Sequence, residues 1–560
     1  MNNKQIKKTM KKLLLSFLLS MPVAASAQYS SQVWSPDNGD GTYTNPVINA
    51  DYSDPDVCVV GDDYYMTASS FQCVPGLPIL HSKDLVNWEI IGYALKELYA
   101  GDAEKKAHFS VPRHGEGVWA PSIRHHNGEF YIYWGDPDFG VYMVKTNNPA
   151  GDWEDPVCVI PGKGLIDTTP LWDEDGRCYL VNAFANSRAR FASILVVREL
   201  SADGKRAISE PVIVFDGNGT ENRTCEGPKF YKRDGWYWIM CPAGGVPTGF
   251  QLAMRSKSPY GPYECKKVLA QGTTPVNGPH QGGWVHTKYG EDWFLHFQDK
   301  DAYGRVVHLQ PVTWKDNWPV MGVAPKKGYC GEPVITFRKP KSDSNVKVNP
   351  CESDEFNSPV LGKQWQWQAN YDQTFGMPTA FGTMRIYTHK MGEQEKNMWM
   401  VPNMLLQKTP ADNFTATAKV ELTAKNENQL GGIIMMGLDY SALVVKRVGD
   451  AFQLQQITCK AADRGKTEEV KVIATLKPTH IDDIDYQPAL HETIYLRMTI
   501  AAGKCQFAYS TNGKKYTDAG ELFTMKEGKW IGAKIGLVAA EPAGVNGRGW
   551  LDADWFRVTK

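Results

Sequence analysis

The 560-residue chain carries 61 basic and 62 acidic side chains, so it has no positive excess with which to hold a nucleic-acid backbone. Its 42% hydrophobic, 11% aromatic and 22% charged residues are those of a folded protein, and its length exceeds what one hydrophobic core usually serves. Two domains are therefore expected. The chain opens with Lys4, Lys7, Lys8, Lys11 and Lys12, an apolar run LLLSFLLSMPVAA and the small-residue site Ala25-Ser26-Ala27. This order describes a cleavable signal peptide over residues 1–27, with an apolar part too short to span a bilayer. No Cys follows the cleavage site, so no lipid or other membrane anchor is expected, and the mature chain is placed in a periplasm or outside the cell. Removal of five lysines and no acids moves the formal charge from -1 to about -6, which again argues against nucleic acid as a partner.

After the leader, short aromatic and β-branched runs bounded by Gly, Asp, Asn and Pro recur with almost no helical periodicity, so the chain reads as all-β. One pattern repeats. A tight acidic or Gly turn followed by an aromatic strand occurs as GDDYYMTAS from 61, NGEFYIYWGD from 127, EDGRCYLVNAF from 174, RDGWYWIMCPAG from 233 and YGEDWFLHFQD from 289. Five copies at this spacing suit the four-stranded blades of a β-propeller over residues 28–340, against unrelated hairpins of a large sandwich. The pattern stops near residue 338. Residues 341–352 read as a charged, Ser- and Pro-bearing linker, and the period-two alternation of FTATAKVEL, IYLRMTIAAG and WLDADWFRV predicts a β-sandwich over 353–560. The segments SDEF and DADWFRV are expected to pair and close it. Eleven cysteines are scattered singly, without CxxC or zinc spacing, and most sit in apolar strand-like runs. They are read chiefly as small buried hydrophobes rather than a disulfide framework.

In a propeller the inner strand of each blade faces the central axis, so acids distant in sequence converge there. Three qualify: Asp54 in SDPDV, Asp167 in GLIDTTP and Glu226 in RTCEGPK. Taken singly, each also has an ordinary role available. Asp54 suits an Asx-turn with Asp56, Asp167 a cap on the Thr-Thr-Pro turn, and Glu226 a solvated loop charge.

Taken together with NPVINADYSDPDV, GDDYYMTASSFQCVPGLPILHSKDLVNWEIIGYAL, GVWAPSIRHHNGEFYIYWGD, GLIDTTPLWDEDGRCYLV, EGPKFYKRDGWYWIM, NGPHQGGWV and GRVVHLQPVTW, the mature chain resembles glycoside hydrolase family 43 along almost its whole length. The resemblance implies a five-bladed propeller and an inverting glycosidase. By motif, Asp54 corresponds to the general base, Glu226 to the general acid, and Asp167 to the third carboxylate that orients the acid and tunes its pKa. Inversion needs one carboxylate to activate water and a protonated acid on the other face of the sugar, about 6.5 to 9.5 Å away. A neighbouring ionised Asp would make Glu226 harder to deprotonate.

The same resemblance implies that Phe71 and Trp119 line the first sugar subsite, positions that would otherwise be read as core. It places His280 and Arg305 near the acid or the axis, in contact with the sugar or a bound ion. The stretch DEFNSPVLGKQWQWQ at 354–368 resembles the sandwich of the β-xylosidase and α-L-arabinofuranosidase branch, which packs on the propeller and lends a loop to the pocket mouth. The substrate implied is a xylo- or arabino-oligosaccharide trimmed at its end. No cofactor is required by such chemistry, and no catalytic metal is expected. Asp354, Asp552 and Asp554 are candidates for a structural Ca²⁺, with plain surface acids as the alternative. Two further readings remain: a carbohydrate-binding propeller without catalysis, and a retaining fructan hydrolase similar to glycoside hydrolase family 32. The chain lacks that family's Asn-Asp-Pro-Asn-Gly and Arg-Asp-Pro motifs.

Overall fold

Each of the five turns singled out in the sequence feeds the second strand of a four-stranded antiparallel sheet: Asp63–Thr67, Glu129–Asp136, Cys178–Phe184, Trp236–Ala243 and Asp292–Asp299. The computed structural model describes residues 29–324 and 330–560, so the leader expected over residues 1–27 lies outside them. The turns do their work through backbone handedness. Asn127-Gly128 and Asp234-Gly235 hold both residues at positive φ (50° and 81°, 52° and 69°), the conformation that matches the twist of the flanking strands.

The inner strands of the five sheets are Asp56–Val60, Trp119–His126, Leu165–Trp172, Lys229–Arg233 and His280–His286, which gives the expected five-bladed propeller. Its core is split into five wedges, one between each pair of adjacent blades. Tyr64 and Trp88 of the first blade pack with Trp293 and Leu295 of the fifth, whereas Cys58 and Ile79 pack with Ile132 and Trp134 of the second. Alternation within a strand sends neighbours to different wedges, as with Trp238 toward the fifth blade and Ile239 toward the third. The ring is closed by backbone pairing. Thr42–Thr44, ahead of the first blade, pairs with Thr336–Arg338 after the last, and Ile48 exchanges backbone hydrogen bonds with Val307 of the fifth blade.

The remainder is the expected sandwich of an eight-stranded and a seven-stranded sheet. In the central strand Phe414–Ala424 the residues Ala416, Ala418, Val420, Leu422 and Ala424 are buried and face the second sheet. The anticipated pairing of its two ends is present: Asp354 and Phe556 exchange two backbone hydrogen bonds of 2.8 Å. Val33 also packs in this core, so the first described residues contact the sandwich before the chain enters the propeller.

The acids suggested for Ca²⁺ each have protein donors beside them. Asp354 caps Phe356 N–H and Gly362 N–H and accepts from the Trp365 indole, Asp552 takes both donors of Arg385 at 2.8 and 2.7 Å, and Asp554 pairs with Lys419 at 3.0 Å. All eleven cysteines are free, seven of them buried.

The domains meet over a polar seam beside the propeller axis. Asp51 accepts from Ser53 Oγ and Arg305 N–H in the propeller and from Gly532 N–H of the sandwich at 3.0 Å. Ala533 N–H donates to Ala302 O, and the buried Lys534 ammonium reaches Cys73 Sγ at 2.9 Å and Gln366 Oε1 at 3.2 Å. On the other side, the His114 ring stacks on Trp399 with centroids 3.8 Å apart.

Candidate active site

Where each inner strand begins, one residue sits in the left-handed backbone region: Asp54 (φ 54°), Ala120 (32°), Asp167 (58°), Gly227 (70°) and Gln281 (56°). Four of these are not glycine, and such strain persists only where the surroundings hold it. Proline follows Asp54, Ala120 and Gly227, while strand register shifts accompany Ala120, Asp167 and Gln281. The kink points one side chain per blade toward a common space. Asp54, Ala120, Asp167 and Gln281, together with Glu226 just before Gly227, line a cavity of about 350 Å³. In the fourth blade glycine takes the kink because a Cβ there would lie 2.8 Å from the Gln281 side chain.

The three acids thus meet in one cavity, each in a different setting. Asp54 Oδ1 accepts from Arg305 Nη1 at 3.0 Å and Oδ2 accepts from Ser69 Oγ at 2.6 Å, while Ser69 Oγ itself accepts from Ala120 N–H at 2.8 Å. Two blades and the fifth blade's arginine therefore fix one carboxylate. Asp167 is buried and accepts from Gly227 N–H at 2.7 Å, the amide that follows Glu226. Burial and the charges of Glu226 and Asp54 raise its pKa well above the carboxylate range, with Lys229 opposing. Glu226 is partly exposed at the cavity wall, and burial and the Asp54 charge push its pKa up to about 7, with Arg305 opposing. Asp167 and Glu226 are thus both biased toward their protonated forms. The carboxylate charge that raises Glu226 is that of Asp54.

The other two acids of NPVINADYSDPDV, Asp51 and Asp56, are occupied elsewhere. Asp51 holds the domain seam, and Asp56 lies fully buried below the cavity, accepting from Ile123 N–H at 2.9 Å and Arg124 Nη1 at 2.6 Å. Lys229, also fully buried, donates to Pro121 O at 2.8 Å and ties the fourth blade to the second across the axis.

Phe71, Trp119 and Arg305 line the cavity as expected from the resemblance. Phe71 and Trp119 meet edge to face at 6.4 Å, and the Trp119 indole N–H donates to Gly115 O. His280 does not line it. The register shift after His280 turns Gln281 inward and leaves the imidazole behind, where Nδ1–H donates to Gly278 O and the ring packs on Phe297. Burial and the Arg305 charge push the His280 pKa down to about 4, so it is neutral at physiological pH.

Trp530, unmarked in the sequence, completes the wall. It projects from the sandwich loop before Lys534–Glu541, packs on Trp119 at 5.9 Å and stays half exposed at the mouth. Gly115 (φ 79°) admits this loop, since a Cβ there would lie 2.5 Å from Lys529 Cγ and 3.0 Å from Trp530 Cδ1. Asn186 and Ser187, which stand in none of the quoted motifs, and Gln281, next to His280 in NGPHQGGWV, are further polar wall residues.

Comparison with known proteins agrees with this build. Residues 43–319 match the model of glycosyl hydrolases family 43, and residues 353–559 match the beta xylosidase C-terminal concanavalin A-like domain. A protein of Xylanibacter ruminicola assigned as a beta-xylosidase is 35% identical over 503 residues, covering 90% of this chain and 87% of the relative. A beta-xylosidase of Formosa agariphila is 31% identical, covering 93% and 90%, and a non-reducing end alpha-L-arabinofuranosidase of Bacteroides ovatus is 31% identical, covering 75% and 79%. Among solved structures, the GH43 protein BlXynB of Bacillus licheniformis superposes with a TM-score of 0.75 at 25% identity, covering 92% of this chain and 99% of its own. A propeller of this kind, with acids gathered at its axis under a sandwich, defines a glycoside hydrolase. The chain belongs to glycoside hydrolase family 43.

Proposed function

We propose that the protein is an exported, inverting exo-glycosidase that removes terminal β-D-xylosyl or α-L-arabinofuranosyl residues from hemicellulose oligosaccharides. The observation that carries this reading is the unequal treatment of two carboxylates in one cavity. Asp54 is an acceptor fixed at both oxygens, whereas Glu226 keeps its proton up to about pH 7. In the reaction Asp54 takes a proton from water as the water oxygen bonds to the anomeric carbon. Glu226 gives its proton to the glycosidic oxygen as the carbon–oxygen bond breaks. Asp167 is a positioning residue: its grip on Gly227 N–H fixes the backbone beside Glu226, and its own retained proton spares the acid a second negative neighbour. Phe71, Trp119 and Trp530 supply apolar surface for a sugar ring, and their closure of the cavity favours a chain end over a mid-chain segment.

The sugar assignment draws on the relatives, which carry both xylosidase and arabinofuranosidase names. Rates on paired aryl β-D-xylopyranoside and α-L-arabinofuranoside test it. Hydrolysis of at least one is expected, and failure on both would refute the assignment. Export is supported by the leader pattern, and N-terminal sequencing of the protein from its native host should begin at or near Gln28.

A further inference from the structure

On the eight-stranded sheet of the sandwich, a set of titratable side chains lies outside everything used above. His480 and His491 stand directly opposite each other on the adjacent strands His480–Ile484 and Gln487–Ala501, and His491 stands opposite Thr423 on Phe414–Ala424. Glu421 is two residues from Thr423 and Asp482 two from His480, so strand alternation puts all of them on one face. That face is opposite to the core-facing Leu422 and Leu490.

His491 is 5% exposed, yet its Nε2 makes no hydrogen bond. Nδ1 lies 3.0 Å from Thr423 Oγ1 and 3.6 Å from Glu421 Oε1, and Nε2 lies 3.4 Å from Asp482 Oδ2. The His480 ring stacks on His491 at 3.9 Å, with its Nε2 3.7 Å from the same Asp482 oxygen. Glu421, His480 and His491 can each offer one ligand atom within 4.8 Å of the others. A buried imidazole nitrogen that makes no hydrogen bond, beside a second imidazole and two carboxylates, is a donor set rather than a packing contact.

We propose that Glu421, His480 and His491 bind a divalent transition-metal ion of the zinc class, with Asp482 as the carboxylate beside both imidazoles. Two nitrogen donors and one oxygen donor suit Zn²⁺ and disfavour Ca²⁺ and Mg²⁺, which take oxygen ligands. His480 is exposed on a short outer strand, so its ring has room to turn edge-on to an ion. Such an ion would pin that strand to the central strand of the sheet.

The test uses the full mature chain after dialysis against EDTA, titrated calorimetrically with ZnCl₂ or CaCl₂ at pH 7.5 and followed by thermal unfolding. One equivalent of Zn²⁺ and a higher Tm are expected, with neither effect from Ca²⁺. His480→Ala, at an exposed position, and Glu421→Gln should each weaken Zn²⁺ by at least about tenfold and remove the Tm shift. Both should leave glycoside hydrolysis unchanged, because neither residue lines the cavity. A wild-type chain that takes up no Zn²⁺ would overturn the proposal, as would an equivalent that survives in both variants.

Discussion

Glu226 and Asp54 share a cavity under opposite constraints, and the difference is open to measurement. Glu226 in the proposed role of acid must be protonated to act, and its pKa near 7 leads to the expectation that kcat/KM falls as pH rises through about 7. Glu226→Gln should abolish that limb and lower kcat by about 10²- to 10⁴-fold on oligosaccharides, with a much smaller loss on a dinitrophenyl glycoside whose leaving group needs no proton. The same group costs stability. Its folded pKa is raised, so its contribution to folding is complete below about 4.5 and is lost as pH rises through about 7. Glu226→Gln is therefore expected to raise Tm at pH 8 and change it little at pH 4.5, with a pH-independent difference counting against this account. The three acids were legible because each stands in a short motif with Pro, Gly or Thr beside it. Why they converge was less legible. The left-handed kink recurs as SDPD, WAPS, IDTT, EGPK and HQGG, a five-fold signal too degenerate in side chain to announce itself without the backbone angles. It would have directed attention to Gln281 instead of His280.

At the level of elements, the hairpin after each inner strand was the readable unit, since a tight turn and an aromatic strand are local and repeat. The loop carrying Trp530 was not. It lies more than 400 residues beyond Asp54, and only the packing of the sandwich on Gly115 and Trp119 brings it to the cavity. Its proposed contribution is surface for the sugar, so Trp530→Ala should raise KM by roughly tenfold with a smaller change in kcat. Gly115→Val should reproduce the effect without touching the substrate, because its side chain would displace Lys529 and Trp530. Steady-state kinetics on one aryl glycoside checks both. A normal KM in Gly115→Val would mean that the loop is free to sit elsewhere.

Across the whole molecule, the site belongs to both domains. Asp51 joins Arg305 N–H to Gly532 N–H, so the strand that presents the arginine of Asp54 is anchored by the sandwich. Separation of the domains would take Cys73 Sγ from the buried Lys534 ammonium and Pro75 O from Gln366 Nε2. Calorimetry is accordingly expected to show one cooperative unfolding transition, with two resolved transitions contradicting this coupling. In the proposed reaction, water attacks from the Asp54 side while Glu226 protonates the leaving oxygen. That is tested directly by ¹H NMR of the first product released from whichever aryl pentoside is cleaved. The anomer opposite in configuration to the substrate should appear first and then mutarotate, and initial appearance of the retained anomer would contradict the assignment of Asp54 as a base acting on water.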